Sequence, residues 1–368
     1  MGKLLKYPFI IIFSCILLFF FVAYFVKDNG NISEKENRYL AQFPKLSMSD
    51  VVDGSFMESF DSYVEDQVIL RTNMIALKMK LNQLFGKCEN NNIVSGKEGY
   101  LFEKIISPGE NLVKNEQFIE SFVLNSDRDI KICIAPNSME ILKDRLPKGM
   151  VTVSQAEYIN DFYSRLGSDR CINLLDILSE HSSEYIYYHT DHHWTSLGAY
   201  YAYEEICRKY NMTPVSLDNH KEYKISDFYG TYYSKYESTL AMGDTITYYG
   251  FDIESYSDGE NVYEELYDYK KSSEYDKYGI FLYGNPGLGI IKSKSADTNK
   301  SMLIFKDSYA NCLIPYLTAN YEEIVVVDLR YYNDSVKKLM DDYSDSDVCM
   351  LFNFSHLNED NHFYRLNM

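Results

Sequence analysis

This 368-residue chain has no Cys-x-x-Cys pair, no His-Glu-x-x-His run and no glycine-rich loop of the phosphate-cradling kind. The first two absences remove the spacings that make zinc sites credible, and the third removes the ordinary nucleotide cradle, so no metal or cofactor is expected. Positive charge is also scarce: 36 Lys and Arg stand against 54 Asp and Glu, a formal net charge of −18. A surface so acidic repels nucleic acid and anionic lipid headgroups, and makes a strongly anionic polymer an uncomfortable substrate. The cysteines show no regular spacing. The six outside the one long apolar run read as scattered small hydrophobes rather than a disulfide framework. There is no internal repeat and no low-complexity tract.

That apolar run is Pro8 to Val26, 19 residues broken only by Ser14 and Tyr24. At about 1.5 Å per residue it would span roughly 28 Å, enough for a bilayer core. It is longer than a signal-peptide core and no small-x-small cleavage site follows, so it reads as an uncleaved, single-pass signal anchor. Lys3 and Lys6 before it favour a cytoplasmic tail, whereas Lys27, Lys35 and Arg38 follow it and leave orientation open on charge alone.

Three regions are expected: a tail and anchor over 1–27, a tether with a helical arm and a hairpin over 28–105, and a catalytic domain over 106–368. Asp28 to Asn37 is polar and reads as a flexible tether. In the arm, one helix carries Phe56, Phe60 and Tyr63. A second runs from a Thr72 cap through Met74, Leu77, Leu81 and Leu84 to a stop at Gly86. Ile93 to Phe102 reads as a hairpin around Ser95-Gly96-Lys97. Short apolar runs at Ile130–Ala135, Cys171–Leu175, Ser301–Phe305, Ile324–Leu329 and Val348–Phe354 then alternate with helical periodicity. This alternation predicts an α/β fold with a mainly parallel sheet covered on both faces, its ligands at the carboxyl ends of the strands. A segment rich in tyrosine at about 218–300 interrupts the alternation; Tyr232, Tyr233, Tyr236, Tyr248, Tyr249 and Tyr283 would suit a sugar polymer. The plainer alternative is a half-buried antiparallel sheet.

The densest chemistry lies in Asp191-His192-His193-Trp194, which holds a carboxylate, two imidazoles and the single tryptophan. In an extended segment Asp191 and His193 share one side while His192 faces away, an arrangement that fits an orienting acid and a general base. The alternative is a polar turn before a helix capped by Thr195; a third reading makes His189, His192 and His193 metal ligands. The nucleophile that such a base needs is Ser308, in Lys306-Asp307-Ser308. It falls between a strand at Ser301–Phe305 and a helix predicted over Tyr309–Ala319, where its backbone N–H could help hold an oxyanion. A simple helix cap is the alternative for Ser308. Asn137, after the Ile130–Ala135 strand, and Arg330, at the end of another, are further candidates for binding substrate oxygen; a loop asparagine bonding its own backbone and an arginine paired structurally with a nearby carboxylate are the alternatives.

Together these motifs resemble the DHHW proteins and, more distantly, the alginate O-acetyltransferases, whose catalytic domains look like SGNH hydrolases. The resemblance takes in Glu36-Asn37-Arg38, Phe43-Pro44, Gly96-Lys97-Glu98-Gly99-Tyr100-Leu101-Phe102, Ala135-Pro136-Asn137, the Asp-His-His-Trp run, Lys306-Asp307-Ser308 and Asp328-Leu329-Arg330-Tyr331-Tyr332. It implies a three-layer, SGNH-hydrolase-like (flavodoxin-like) fold, with Ser308 as nucleophile, His193 as base and Asp191 as its orienter. It also implies a glycine at Gly230 that lets a backbone N–H approach the site, and a large domain outside the cell. Acid and base precede the serine and are spaced Asp-x-His, as in the alginate enzymes. The activity so implied is O-acetylation of a cell-surface polysaccharide, with acetyl handed over by a membrane-bound O-acyltransferase partner. A deacetylating esterase and an idle, glycan-binding member of an envelope complex are the other readings.

Overall fold

The computed structural model describes residues 8–26, 30–33, 38–236 and 242–368. Lys3, Lys6, Lys27, Lys35 and the motif residues Glu36 and Asn37 lie outside them. The chain divides after Cys88 into an N-terminal unit and a larger unit that runs to the C-terminus.

In the N-terminal unit the apolar run forms one helix, Pro8–Val26, without a charged residue. Side chains are described from Pro8 to Ala23. Among the described residues no helix is long and apolar enough to cross a membrane, so the spanning anchor expected from the sequence is not carried by the structure. Helix Ser55–Gln67 follows Gly54, whose φ of +89° is open to glycine at little cost. Phe60 and Tyr63 on this helix receive Phe43, with ring centroids 6.0 and 5.3 Å apart. The next helix opens at Arg71, one residue before the predicted Thr72 cap, and ends at Leu84.

The larger unit is built on an eight-stranded sheet. Five strands are parallel, in the spatial order Glu323–Val327, Ser301–Lys306, Asp347–Asn353, Ile130–Ala135 and Cys171–Ile172. Their burial is continuous rather than alternating; Met302 to Phe305 and Ile130 to Ala135, Lys131 included, are buried without a break. Such a strand is apolar on both sides and must be covered on both, which is the predicted architecture. The run Cys171–Leu175 is strand only over Cys171–Ile172, because Leu175 already opens a helix.

Beyond Glu323–Val327 the sheet continues with antiparallel strands Leu288–Ser293, Ile253–Ser257 and Val262–Tyr263, all from the tyrosine-rich segment. A separate antiparallel pair, Glu222–Phe228 with Asp244–Tyr249, comes from the same segment. Tyr232, Tyr236 and Tyr248 are buried, and Tyr223 stacks on Tyr248 across this pair at 5.1 Å. These tyrosines are therefore mostly packing groups, and the plainer of the two sequence readings describes them.

The helix expected over Tyr309–Ala319 is instead a 3₁₀ turn, Ser308–Cys312, followed by a short α-helix, Ile314–Leu317. Pro315 explains the break: it has no N–H to donate and is accommodated only in a first helical turn. All seven cysteines are unpaired; five are buried and act as small apolar groups.

Tyr163 joins two parallel strands through its side chain, its hydroxyl accepting from the Ile134 N–H (2.7 Å) and donating to the Ile172 carbonyl (3.1 Å). Tyr163→Phe should leave both backbone groups buried without a partner. We expect a loss of about 1–3 kcal/mol in urea unfolding, with an unchanged far-ultraviolet spectrum.

Candidate active site

Asp191, His192 and His193 sit in a tight reversal closed by a β-bridge between Tyr187 and Trp194, not in an extended strand. A buried carboxylate on another element holds this turn. Asp244, from strand Asp244–Tyr249, accepts from the backbone N–H groups of His189 and Thr190, both at 2.8 Å. It also binds His189 Nδ1 at 2.9 Å and the Thr190 hydroxyl at 2.5 Å. His189 is therefore a structural partner of Asp244. Thr195 alone caps the following helix, Ser196–Lys209, by accepting from the Gly198 N–H, which leaves Asp191 free for other partners.

Asp191 is almost fully buried, and each of its oxygens is satisfied. Oδ1 accepts from the His193 N–H at 3.0 Å and lies 2.5 Å from His193 Nδ1; Oδ2 accepts from the Thr231 N–H at 2.8 Å and its hydroxyl at 3.2 Å. Gly230 makes room for this. A Cβ there would fall 2.2 Å from Asp191 Oδ2, so the position takes no side chain. The resemblance gave Gly230 the task of letting a backbone N–H in, and the N–H that reaches the carboxylate belongs to its neighbour Thr231. Burial works against the charge on Asp191, but the two histidines hold its carboxyl well below the usual range.

On its far side His193 meets Ser308, with Nε2 to Oγ 2.8 Å. Ser308 stands just past strand Ser301–Lys306, at the carboxyl edge of the sheet. Asp307 fixes the turn that presents it, taking the Tyr309 N–H on Oδ1 (2.8 Å) and the Asn353 N–H of the adjacent strand on Oδ2 (2.6 Å). Among the described residues the backbone N–H of Ser308 itself has no partner. The two loops are pinned together twice. Trp194 Nε1 donates to the Tyr309 carbonyl at 2.8 Å. Tyr278 stacks on His193 at 3.7 Å, while its hydroxyl donates to the Ser308 carbonyl at 3.0 Å. Burial and the neighbouring charge of His192 push His193 down to about 4, so it is a neutral imidazole near pH 7.

A cavity of about 450 Å³ opens over Ser308, with Arg330, Asn353, His192, Tyr232 and the Lys235–Glu103 ion pair (3.0 Å) on its walls. Arg330 is gripped by Asp328 through two hydrogen bonds of 2.9 and 2.6 Å, so it is fixed in place and still borders the cavity. Asn137 is not on the wall: it lies buried, its amide donating to Asn353 Oδ1 and accepting from the Ser355 hydroxyl, both at 3.2 Å. The amide bordering the cavity is that of Asn353. His192 does not face away from the site, because the segment is a turn and the alternation of a strand does not apply.

Asp191, His192 and His193 also bring ligand-type atoms within 4.8 Å of one another. The 2.5 Å between Asp191 Oδ1 and His193 Nδ1 is a hydrogen-bond length, shorter than the roughly 3 Å or more between two ligands of a tetrahedral zinc.

The sequence profile of the DHHW proteins matches residues 95–327, more than half of the chain. The chain belongs to the DHHW protein family. A DHHW family protein from Eubacterium siraeum is 23% identical, over 76% of this chain and 96% of that one, with a TM-score of 0.64. Bacillus cereus PatB1 is 19% identical over 74% of this chain and 98% of its own, with a TM-score of 0.63, and has also been solved with a sulfonyl adduct. No curated protein matches the chain.

In this DHHW protein Thr231, Asp244, Tyr278 and Asn353 escaped the sequence reading. Asn353 left a trace, as the polar residue that closes the apolar strand ending Met-Leu-Phe-Asn. The other three come from the tyrosine-rich segment and reach the site only through the fold. Gly230→Ala should force the Asp191 carboxylate aside. The expected outcome is a stability loss of about 1–3 kcal/mol in thermal unfolding and a fall of about tenfold or more in the reactivity of Ser308 toward a sulfonyl fluoride.

Proposed function

We propose that this DHHW protein is a serine O-acyltransferase that acetylates a cell-surface polysaccharide outside the cytoplasm. The carrying observation is the unbroken line from Asp191 through His193 to Ser308, with contacts of 2.5 and 2.8 Å, beneath an open polar cavity. The cycle follows from protonation states. Neutral His193 takes the proton of Ser308 as Oγ attacks the acyl carbonyl of the donor. Asp191 stabilises the imidazolium, and the Ser308 N–H stands where the oxyanion forms. The donor's ester bond then breaks, and its leaving oxygen takes the proton from His193. In the second half the acceptor hydroxyl gives its proton to His193 and attacks the acyl-serine, and Oγ recovers the proton on leaving.

Arg330 and Asn353 on the cavity wall are the groups for substrate oxygens, and the buried Asn137 would act by holding Asn353. The donor in this reading is an acetyl group delivered by a membrane-bound O-acyltransferase, since acetyl-CoA is absent outside the cytoplasm.

The test is intact-protein mass after exposure to an activated acetyl ester or a phenylmethanesulfonyl fluoride, followed by acetyl transfer to an oligosaccharide. An adduct on Ser308 and an acetylated sugar are the expected results. Release of acetate with no acetylated sugar would point to an esterase; no adduct at all would overturn the serine reading. Ser308→Ala and His193→Ala should lose turnover by about 10³-fold or more with the fold intact, and Asp191→Asn should keep a small residue of activity.

A further inference from the structure

Two histidines stand against one carboxylate. His192 Nδ1 lies 3.4 Å from Asp191 Oδ1, and its ring lies on that of His193 with centroids 3.7 Å apart. Its Nδ1 is also 2.7 Å from the Thr231 hydroxyl. That hydroxyl has one hydrogen and lies within bonding distance of Asp191 Oδ2, so when it donates there it must accept from Nδ1–H of His192. Nε2 of His192 has no protein partner among the described residues, and the ring borders the cavity of Ser308. It is thus the more solvent-exposed of the pair, with 32% of its side chain open against 6% for His193.

The charges around His192 are mixed. On its own turn it faces Asp191 and His193; from neighbouring elements come Glu103, which is paired with Lys235, and Asp276, with the neutral hydroxyls of Tyr232 and Tyr309 beyond. The pair shares a single carboxylate, so the first proton that enters can be neutralised and a second cannot. The half-open His192, with water at Nε2 and Thr231 at Nδ1, is the place for the first.

We propose that His192 is a positioning residue that sets the acid limit of the Ser308 chemistry: once it carries a proton, His193 cannot take the proton of Ser308. The inference rests on the serine acyl-transfer reading above. In the attack step His193 must become an imidazolium, and a cation whose ring centroid lies 3.7 Å away opposes that step directly. The titration directions agree with the geometry. Burial opposes a charge on His192, yet Asp191 raises it above the ordinary histidine value, whereas His193 is pushed down. The loss of activity on acidification therefore follows His192, at a pH above about 6.5, and not His193.

The experiment is the rate of Ser308 modification by phenylmethanesulfonyl fluoride from pH 4.5 to 9, in the full chain and in His192→Gln, followed by mass. We expect a wild-type acid limb above about pH 6.5. In His192→Gln the limb should move down by about one unit or more. One unit below the wild-type limb, the variant would then keep about fivefold more of its own plateau rate. A limb that stays in place, or moves up as the removal of a cation beside a titrating His193 would make it, overturns the inference. A wild-type limb below 6.5 overturns it without any variant. Absence of modification at every pH overturns the serine reading, and this inference with it.

Discussion

The site depends on keeping one carboxylate ionised inside the protein. Asp191 is cut off from water, and a buried charge without compensation costs several kcal/mol, so the surroundings are built to supply donors. They come from different parts of the chain: the His193 N–H and imidazole from its own turn, and the Thr231 N–H and hydroxyl from forty residues on. Gly230 is the corresponding steric condition. The segment around Thr231 approaches Asp191 so closely that no Cβ fits, and that approach delivers the donors.

A second buried carboxylate repeats the device one step away. Asp244 gathers the His189 and Thr190 backbone and the Tyr185 hydroxyl, so the turn carrying Asp191 is held at its entrance by strand Asp244–Tyr249. Trp194 and Tyr278 then lock that turn to the Ser308 loop. The tyrosine-rich segment, which looks like an insertion along the chain, therefore supplies the scaffold on which the Asp-His pair reaches the serine. Rigidity of this kind matters because a contact such as the 2.8 Å between His193 and Ser308 must be held to a fraction of an ångström to be useful.

The parallel sheet supplies the other half. Strands Ser301–Lys306, Glu323–Val327 and Asp347–Asn353 end at one edge, so Ser308, Arg330 and Asn353 gather there although they are far apart in sequence. Asp307 makes that gathering specific by bonding the N–H groups of Tyr309 and Asn353 at once. Arg330 shows how one side chain meets two readings: Asp328 fixes it as a structural pair, and the fixed guanidinium still borders the cavity.

Local pattern alone determined the apolar strands, the helix that Thr195 caps, and a serine placed just past a strand, because period and turn chemistry are short-range properties. The acidic balance and the Asp-His-His-Trp cluster were equally plain. Tertiary structure decided what those patterns could not contain. Pro315 broke the predicted Tyr309–Ala319 helix, and a turn in place of a strand brought His192 into the site. Packing buried Tyr232, Tyr236 and Tyr248 among the glycan-platform tyrosines, and Asn353 took the place on the cavity wall where Asn137 was expected. Pro315 acted locally, through its missing N–H; in the other instances contacts between segments apart in the chain outweighed the local preference. Sequence named the groups that meet at the site; only the fold could choose their neighbours, since burial and hydrogen-bond satisfaction exist only once distant segments meet.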